Sequence, residues 1–215
     1  MHIPDGFISP LTYLPAYGLA AAAWAYAARR VRQDLDADTL PFLAACTAVS
    51  FVLMMVALPL PGGTTAHAAG IGLLAAAFGG WMAFLAVSLV LAMQTLLFGD
   101  GGITALPVNA LAMGLAGSFA ALAVWKMLGR VHEGLALLLA GWLSIALPAV
   151  LVAVVLGLQP VLAHDAHGAP LFFPFGLAVT LPAVVLPHLL VGVAEGVFTL
   201  IGYRYLTRLR ARAAR

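Results

Sequence analysis

The residues best placed to do chemistry in this sequence are Met1, His2 and His67. A free α-amine, the amide nitrogen of residue 2 and the imidazole Nδ1 of His2 can close two fused chelate rings around a single ion. A fourth nitrogen from His67, in the turn Pro-Leu-Pro-Gly-Gly-Thr-Thr-Ala-His at 59–67, would complete a nitrogen square. That geometry suits Ni(II) or Cu(II) rather than tetrahedral Zn(II). An N-terminal histidine that binds nothing is the plainer alternative, and residue types alone permit both. Two features favour the chelate. Bulky His2 disfavours removal of Met1, so the amine is expected to stay. The stretch to Pro10 has Asp5 as its one charged side chain and lacks the basic start of a secretory signal, so Met1 is expected to be the mature terminus.

A second group lies downstream. His188 and Glu195 fall within the last apolar stretch, where an ionisable side chain is costly and is a functional candidate by default. Their spacing puts them on nearly the same helical face, and Pro187 frees a carbonyl one turn earlier. They suit a proton relay, a metal transit point or a structural hydrogen-bond network. Gln94 and Asn109 flank a polar turn at 99–104 and are candidates to orient His67 or His2, since a metal-bound imidazole usually hydrogen-bonds through its second nitrogen. His164, Asp165 and His167 have metal-like spacing in a loop, against which stands an incidental, solvated cluster.

Enzymatic chemistry finds no support. The single lysine, Lys126, follows Trp125, so no phosphate-binding Gly-x-x-x-x-Gly-Lys loop exists. His132-Glu133 is followed by Gly134-Leu135 rather than by a zinc-binding His-Glu-x-x-His pattern. The expectation is a chain without catalytic residues or catalytic cofactor.

These residues must be positioned by membrane-spanning elements. At 64% hydrophobic and 8% charged, the chain has too few charges to solvate a globular surface, which reads as an all-α polytopic membrane protein. Crossing roughly 30 Å of hydrocarbon takes about 20 apolar residues. About seven stretches qualify: 11–28, 40–58, a short one at 64–78, 81–98, 107–125, 135–157, and a last at 172–205 broken by Pro182 and Pro187. Small residues at helix-packing spacing, such as Ala16 and Ala20, Ala44 and Ala48, and Gly114, Gly117 and Ala121, would let helices approach closely. No linker or repeat divides the chain, so 1–215 is expected to form one transmembrane domain.

Basic residues decide the doubtful third stretch. With seven crossings and the N-terminus outside, all ten Lys and Arg residues fall in cytoplasmic segments or the C-terminal tail, as the positive-inside rule requires. The same parity puts Met1, His2, His67, Asp100 and His164 together on the outer face. The basic tail suits topology and anionic headgroups, and no nucleic-acid partner is expected.

Four motifs carry a family resemblance: Met-His-Ile-Pro-Asp-Gly-Phe-Ile-Ser-Pro at 1–10, Pro-Gly-Gly-Thr-Thr-Ala-His at 61–67, Gln-Thr-Leu-Leu-Phe-Gly-Asp-Gly-Gly-Ile-Thr at 94–104, and His-Leu-Leu-Val-Gly-Val-Ala-Glu-Gly at 188–196. Over nearly its whole length the chain resembles CbiM/NikM, the substrate-specific membrane components of cobalt and nickel energy-coupling factor (ECF) transporters. The resemblance implies seven transmembrane helices in the bacterial cytoplasmic membrane, and an N-terminus inserted into the molecule as a metal ligand. It implies coordination of Ni2+ or Co2+ by the Met1 amine, the His2 amide and imidazole, and His67. It also implies partners: a transmembrane coupling protein, cytoplasmic ATPase subunits and a small accessory membrane protein. Ala66 and Ala68, beside His67, are smaller than the family pattern suggests. The competing expectation is a self-sufficient, proton-coupled permease using His188 and Glu195.

Overall fold

The computed structural model describes residues 2–60 and 63–213. Met1, an expected ligand, lies outside the described residues, as do Pro61 and Gly62 of the His67 motif and Arg215 of the basic tail. Among the described residues the chain forms seven helices of eight residues or more: α1 (Pro10–Asp34), α2 (Thr39–Met55), α3 (Ile71–Phe78), α4 (Gly80–Phe98), α5 (Leu106–Leu128), α6 (Glu133–Gly157) and α7 (Leu177–Ala213). A two-stranded hairpin pairs β1 (Leu58–Pro59) with β2 (Thr65–Ala66) between α2 and α3, a small departure from an all-helical reading.

Helices α4, α5, α6 with its following turn, and α7 are long and apolar enough to cross a membrane. Large apolar side chains stay exposed along them, Leu96, Val193 and Leu190 among others. Hydrocarbon, unlike water, does not penalise such exposure. Helix α1 is long but richer in tyrosine and charge, and α2 is apolar but shorter.

The third stretch is not a full helix. Its helical part, α3, is only eight residues, roughly 12 Å at 1.5 Å per residue. The preceding segment 63–70 is irregular apart from β2. Irregular backbone is tolerated at membrane depth only where protein buries it, and Ala66, His67, Ala69 and Ile71 are indeed buried. Gly79, at φ +85°, turns the chain from α3 straight into α4.

The last stretch departs in the opposite direction. Pro182 and Pro187 do not break it: α7 runs unbroken for 37 residues, roughly 55 Å. Prolines persist in such helices where neighbours re-satisfy the freed backbone groups. Its buried stripe runs through Thr180, Val184, His188, Gly192, Glu195, Gly196, Thr199 and Leu206, so every polar group of the expected pair points inward. Helix α7 packs chiefly on α6 and also on α3. A Cβ at Gly72 would come within 2.5 Å of Thr199 Oγ1 and 2.6 Å of the Gly141 Cα, so three backbones meet there with no room for a side chain.

Helix α5 widens to π-helical geometry over Ala110–Gly117, a feature common near functional sites and unforeseen from the sequence. Of the small-residue pairs, Ala16 and Ala20 are buried, as are Gly114, Gly117 and Ala121. Ala44 and Ala48 instead line an open apolar groove between α2 and α4.

Candidate metal centre

Residues 2–9 do not trail into solvent; they are threaded into the bundle and tied to three elements. Ile3 N–H donates to Asn109 Oδ1 at 3.0 Å, and Asn109 Nδ2 donates back to the Ile3 carbonyl at 3.2 Å. Asp5 accepts from the Ile103 amide at 3.0 Å and from the Thr104 amide at 2.8 Å and hydroxyl at 2.5 Å. Ser9 N–H donates to Gln159 Oε1 at 2.9 Å, and the Phe173 amide donates to the Phe7 carbonyl. Gly102 makes the Asp5 contact possible: a Cβ there would overlap the Asp5 backbone and carboxylate. Pro10 then opens α1, where a missing N–H costs nothing, while the Ser9 carbonyl accepts from Thr12 and Tyr13.

This threading delivers His2 to His67. Both are 2% exposed, with ring centroids 4.6 Å apart and planes inclined by 42°. His67 Nδ1 faces the Ala68 carbonyl at 3.2 Å. A proton on Nδ1 donated to that carbonyl leaves Nε2 with its lone pair free, and Nε2 is buried without a hydrogen-bond partner among the described residues. Among the described residues neither expected orienting amide bonds an imidazole: Asn109 grips the Ile3 backbone, and the buried Gln94 amide has no hydrogen-bond partner on either atom. The Gln94 carbonyl instead accepts from Gly99 and Asp100, which ends α4 and turns Asp100 toward His2.

His2 Nδ1 stands 3.0 Å from Asp100 Oδ1, and His2 Nε2 has no hydrogen-bond partner among the described residues. Burial is the main influence on this imidazole and lowers its pKa, against the pull of Asp100. His2 beside it holds the Asp100 carboxyl below the usual carboxylate range, so Asp100 is ionised at neutral pH. For Asp5 burial resists ionisation, but the bonds from Thr104 and Ile103 outweigh it and lower the pKa.

The His67 loop is set from below by Glu195. This fully buried carboxylate accepts from Ala69 N–H at 2.8 Å, Gly70 N–H at 3.0 Å and Gly72 N–H at 3.4 Å. Its oxygens satisfy donors that the start of α3 would otherwise leave orphaned. His188 Nδ1 faces the Val184 carbonyl at 2.6 Å. No hydrogen bond joins His188 to Glu195 among the described residues. The expected pair is therefore two separate fixtures, because Glu195 is turned toward α3 and His188 toward its own helix.

His2 and His67 could supply two of the nitrogens of a square set. Buried imidazole nitrogens lacking partners are costly unless something binds them, and here His2 and His67 hold such nitrogens side by side. No three His, Cys, Asp or Glu side chains cluster as a metal site among the described residues. Two imidazoles alone do not complete a coordination set. The outer histidine cluster is not part of this arrangement. Asp165 Oδ1 accepts from His167 N–H and Ala169 N–H, both at 2.8 Å, and closes its own exposed loop.

Sequence reasoning passed over Asp5, Asp100, Gly102 and Gln159. Asp5 stood out only as the one charge in the first ten residues, and Asp100 only as a polar-turn residue on the same face as His2 and His67. Their roles depend on contacts between segments about 100 or more residues apart.

The chain is similar to known metal-transport proteins. The family described as "Cobalt uptake substrate-specific transmembrane region" matches residues 2–213. The "Probable fused nickel transport protein LarMN" of Lactiplantibacillus plantarum is 44% identical over 97% of this chain and 65% of its own length. The fused nickel transport protein NikMN of Rhodobacter capsulatus is 43% identical over 93% of this chain and 59% of its own length. The chain thus spans less than two thirds of these fused relatives. The crystal structure of a transition metal transporter superposes with a TM-score of 0.93 at 38% identity, covering 97% of this chain and 93% of that one.

Proposed function

Because the chain belongs to the CbiM family of cobalt-uptake substrate-specific transmembrane regions, we propose that it binds Ni2+ or Co2+ for import as the substrate-specific membrane component of an ECF-type transporter. The observation that carries this reading is the inward-threaded N-terminal segment, which lays His2 beside His67 with buried imidazole nitrogens unpartnered. The ligands in this reading are the Met1 α-amine, the His2 amide and Nδ1 nitrogens, and His67 Nε2. The amine and amide must lose protons to bind the ion, so affinity falls at low pH. Energy comes from partner ATPase subunits through a transmembrane coupling protein, with a small accessory membrane protein beside them. The N-terminus and ion site face outward and the Arg-rich end of α7 faces the cytoplasm, in keeping with the placement of basic residues.

The proton-coupled alternative would use Glu195 as a relay. Its oxygens are turned toward three backbone N–H groups instead, which supports a positioning role.

The test is Ni2+ and Co2+ binding by purified protein. One ion per chain is expected, lost when the N-terminus is extended by one residue and in His2→Ala or His67→Ala. Stoichiometric binding that survives all three changes would sink the ligand set. Metal uptake by this chain alone in vesicles, driven by a pH gradient and lost in Glu195→Gln, would favour the permease instead.

A further inference from the structure

We propose that Asp100 is the counter-charge of the ion site: its carboxylate neutralises a divalent cation held on His2 and thereby selects for dications. The inference rests on the nitrogen chelate proposed above. Asp100 Oδ1 stands 3.0 Å from His2 Nδ1, the imidazole nitrogen that the chelate uses. An ion on that nitrogen has Asp100 as its adjoining carboxylate.

The position is built from both sides. The Asp100 amide donates to the Gln94 carbonyl at 3.2 Å, and the Asp100 carbonyl accepts from the Thr95 hydroxyl at 3.2 Å. The main chain is therefore tied to the last turns of α4, and the Gly101 backbone packs against His2 and Asn109. Exposure changes sharply across the pair: His2 is 2% exposed and Asp100 29%. The carboxylate marks the boundary between solvent and the buried imidazoles, so an arriving cation meets it first.

Charge accounting gives the reason. A dication bound to a neutral amine, one deprotonated amide and two neutral imidazoles keeps a single positive charge in a site shielded from water. An uncompensated buried charge is costly, and one carboxylate beside a ligand brings the assembly to neutrality. The other acidic groups nearby face elsewhere. Asp5 is directed at Ile103 and Thr104, and Glu195 at the start of α3. A monovalent ion would leave the same assembly negative, so charge balance itself discriminates.

The experiment measures Ni2+ affinity of the purified full chain by chelator competition, with the visible absorption of the bound ion and the unfolding temperature of the ion-free protein as parallel readouts. Asp100→Asn is expected to weaken Ni2+ binding by about 10- to 100-fold, the range for a partly screened contact charge. One-to-one stoichiometry and the absorption of the nitrogen-ligated ion are expected to persist. Asp100→Glu retains the charge and is expected to stay within about fivefold of wild type. Asp100→Ser replaces the Asn variant if that one unfolds. The proposal is overturned if the neutral variant binds within twofold of wild type, if the Glu variant loses as much as the neutral one, or if the absorption changes, which would make Asp100 a direct ligand. A wild type that binds no Ni2+, or a His67→Ala variant that binds normally, identifies the chelate itself as the failure.

Discussion

Asn109 and Ile3 exchange two hydrogen bonds, amide to side-chain oxygen at 3.0 Å and side-chain nitrogen to carbonyl at 3.2 Å, so one buried amide replaces a strand partner for the N-terminal segment. The position of His2 depends on this grip more directly than on any contact the imidazole itself makes. Asn109→Ala strands a buried donor and acceptor on Ile3 and should cost about 1–3 kcal/mol. Thermal unfolding of the ion-free protein checks that figure, and chelator competition should show at least about tenfold weaker Ni2+ binding. Asn109→Asp keeps the acceptor and loses the donor, and should fall between.

Gly102 permits the second attachment. A Cβ there would collide with the Asp5 backbone and lie 2.5 Å from Asp5 Oδ1. Gly102→Ala should weaken ion binding as much as Asp5→Ala does, because both release the segment from Ile103 and Thr104. Gly176→Ala, where a Cβ meets nothing within 4 Å, serves as the control and should bind like wild type. Equal binding by Gly102→Ala and wild type would show that the Asp5 contact does not set the site.

Glu195 holds the loop after His67 through the amides of Ala69, Gly70 and Gly72. Glu195→Ala leaves these donors buried and unpaired, and a loss of about 2–4 kcal/mol is expected, together with weaker ion binding. Glu195→Gln keeps one acceptor oxygen and should retain more of both. Unfolding temperature and Ni2+ affinity measured on the same samples separate the two effects.

The pH dependence has a definite sign. Burial lowers the His2 pKa below 6.5 in the folded chain, so below that value the unfolded state binds more protons at this residue. Stability contributed by neutral His2 is full above 6.5 and is lost as pH falls from there toward the lowered folded value. The ion-free protein should therefore melt at a lower temperature near pH ~5.5 than near pH ~7.5, and His2→Gln should flatten part of that difference. For the ion, His2 stays neutral and available through this upper range. Loss of affinity between about pH 8 and 6.5 should then reflect protonation of the α-amine, whose ordinary pKa is about 7.7–8.0, added to the one proton the amide releases on binding. Acetylating that amine should remove the binding.

Much of this protein is legible in one dimension because the bilayer imposes strong local rules. Apolar stretches of span length placed α1, α2, α4, α5 and α6 within a few residues, since each crossing must satisfy its own backbone. Met1, His2 and His67 are candidates on sequence alone because a terminal amine followed by histidine would carry its chelating geometry in covalent structure, with a second histidine in a turn to add a nitrogen. The tertiary structure alone decided the rest. A length criterion cannot foresee that the third stretch is half irregular, because the loop is stabilised by Glu195 from the far end of the chain. Pro182 and Pro187 read as breaks, yet α7 continues through them within the packed bundle. Asn109 and Gln94 were expected to orient an imidazole, but the partner of Asn109 is a backbone segment 106 residues away. Asp100 gains its place beside His2 only when the N-terminal segment folds inward. Sequence determined which groups could bind an ion, through covalent chemistry and hydropathy; folding determined which of them meet, through hydrogen bonds between distant segments that no local pattern records.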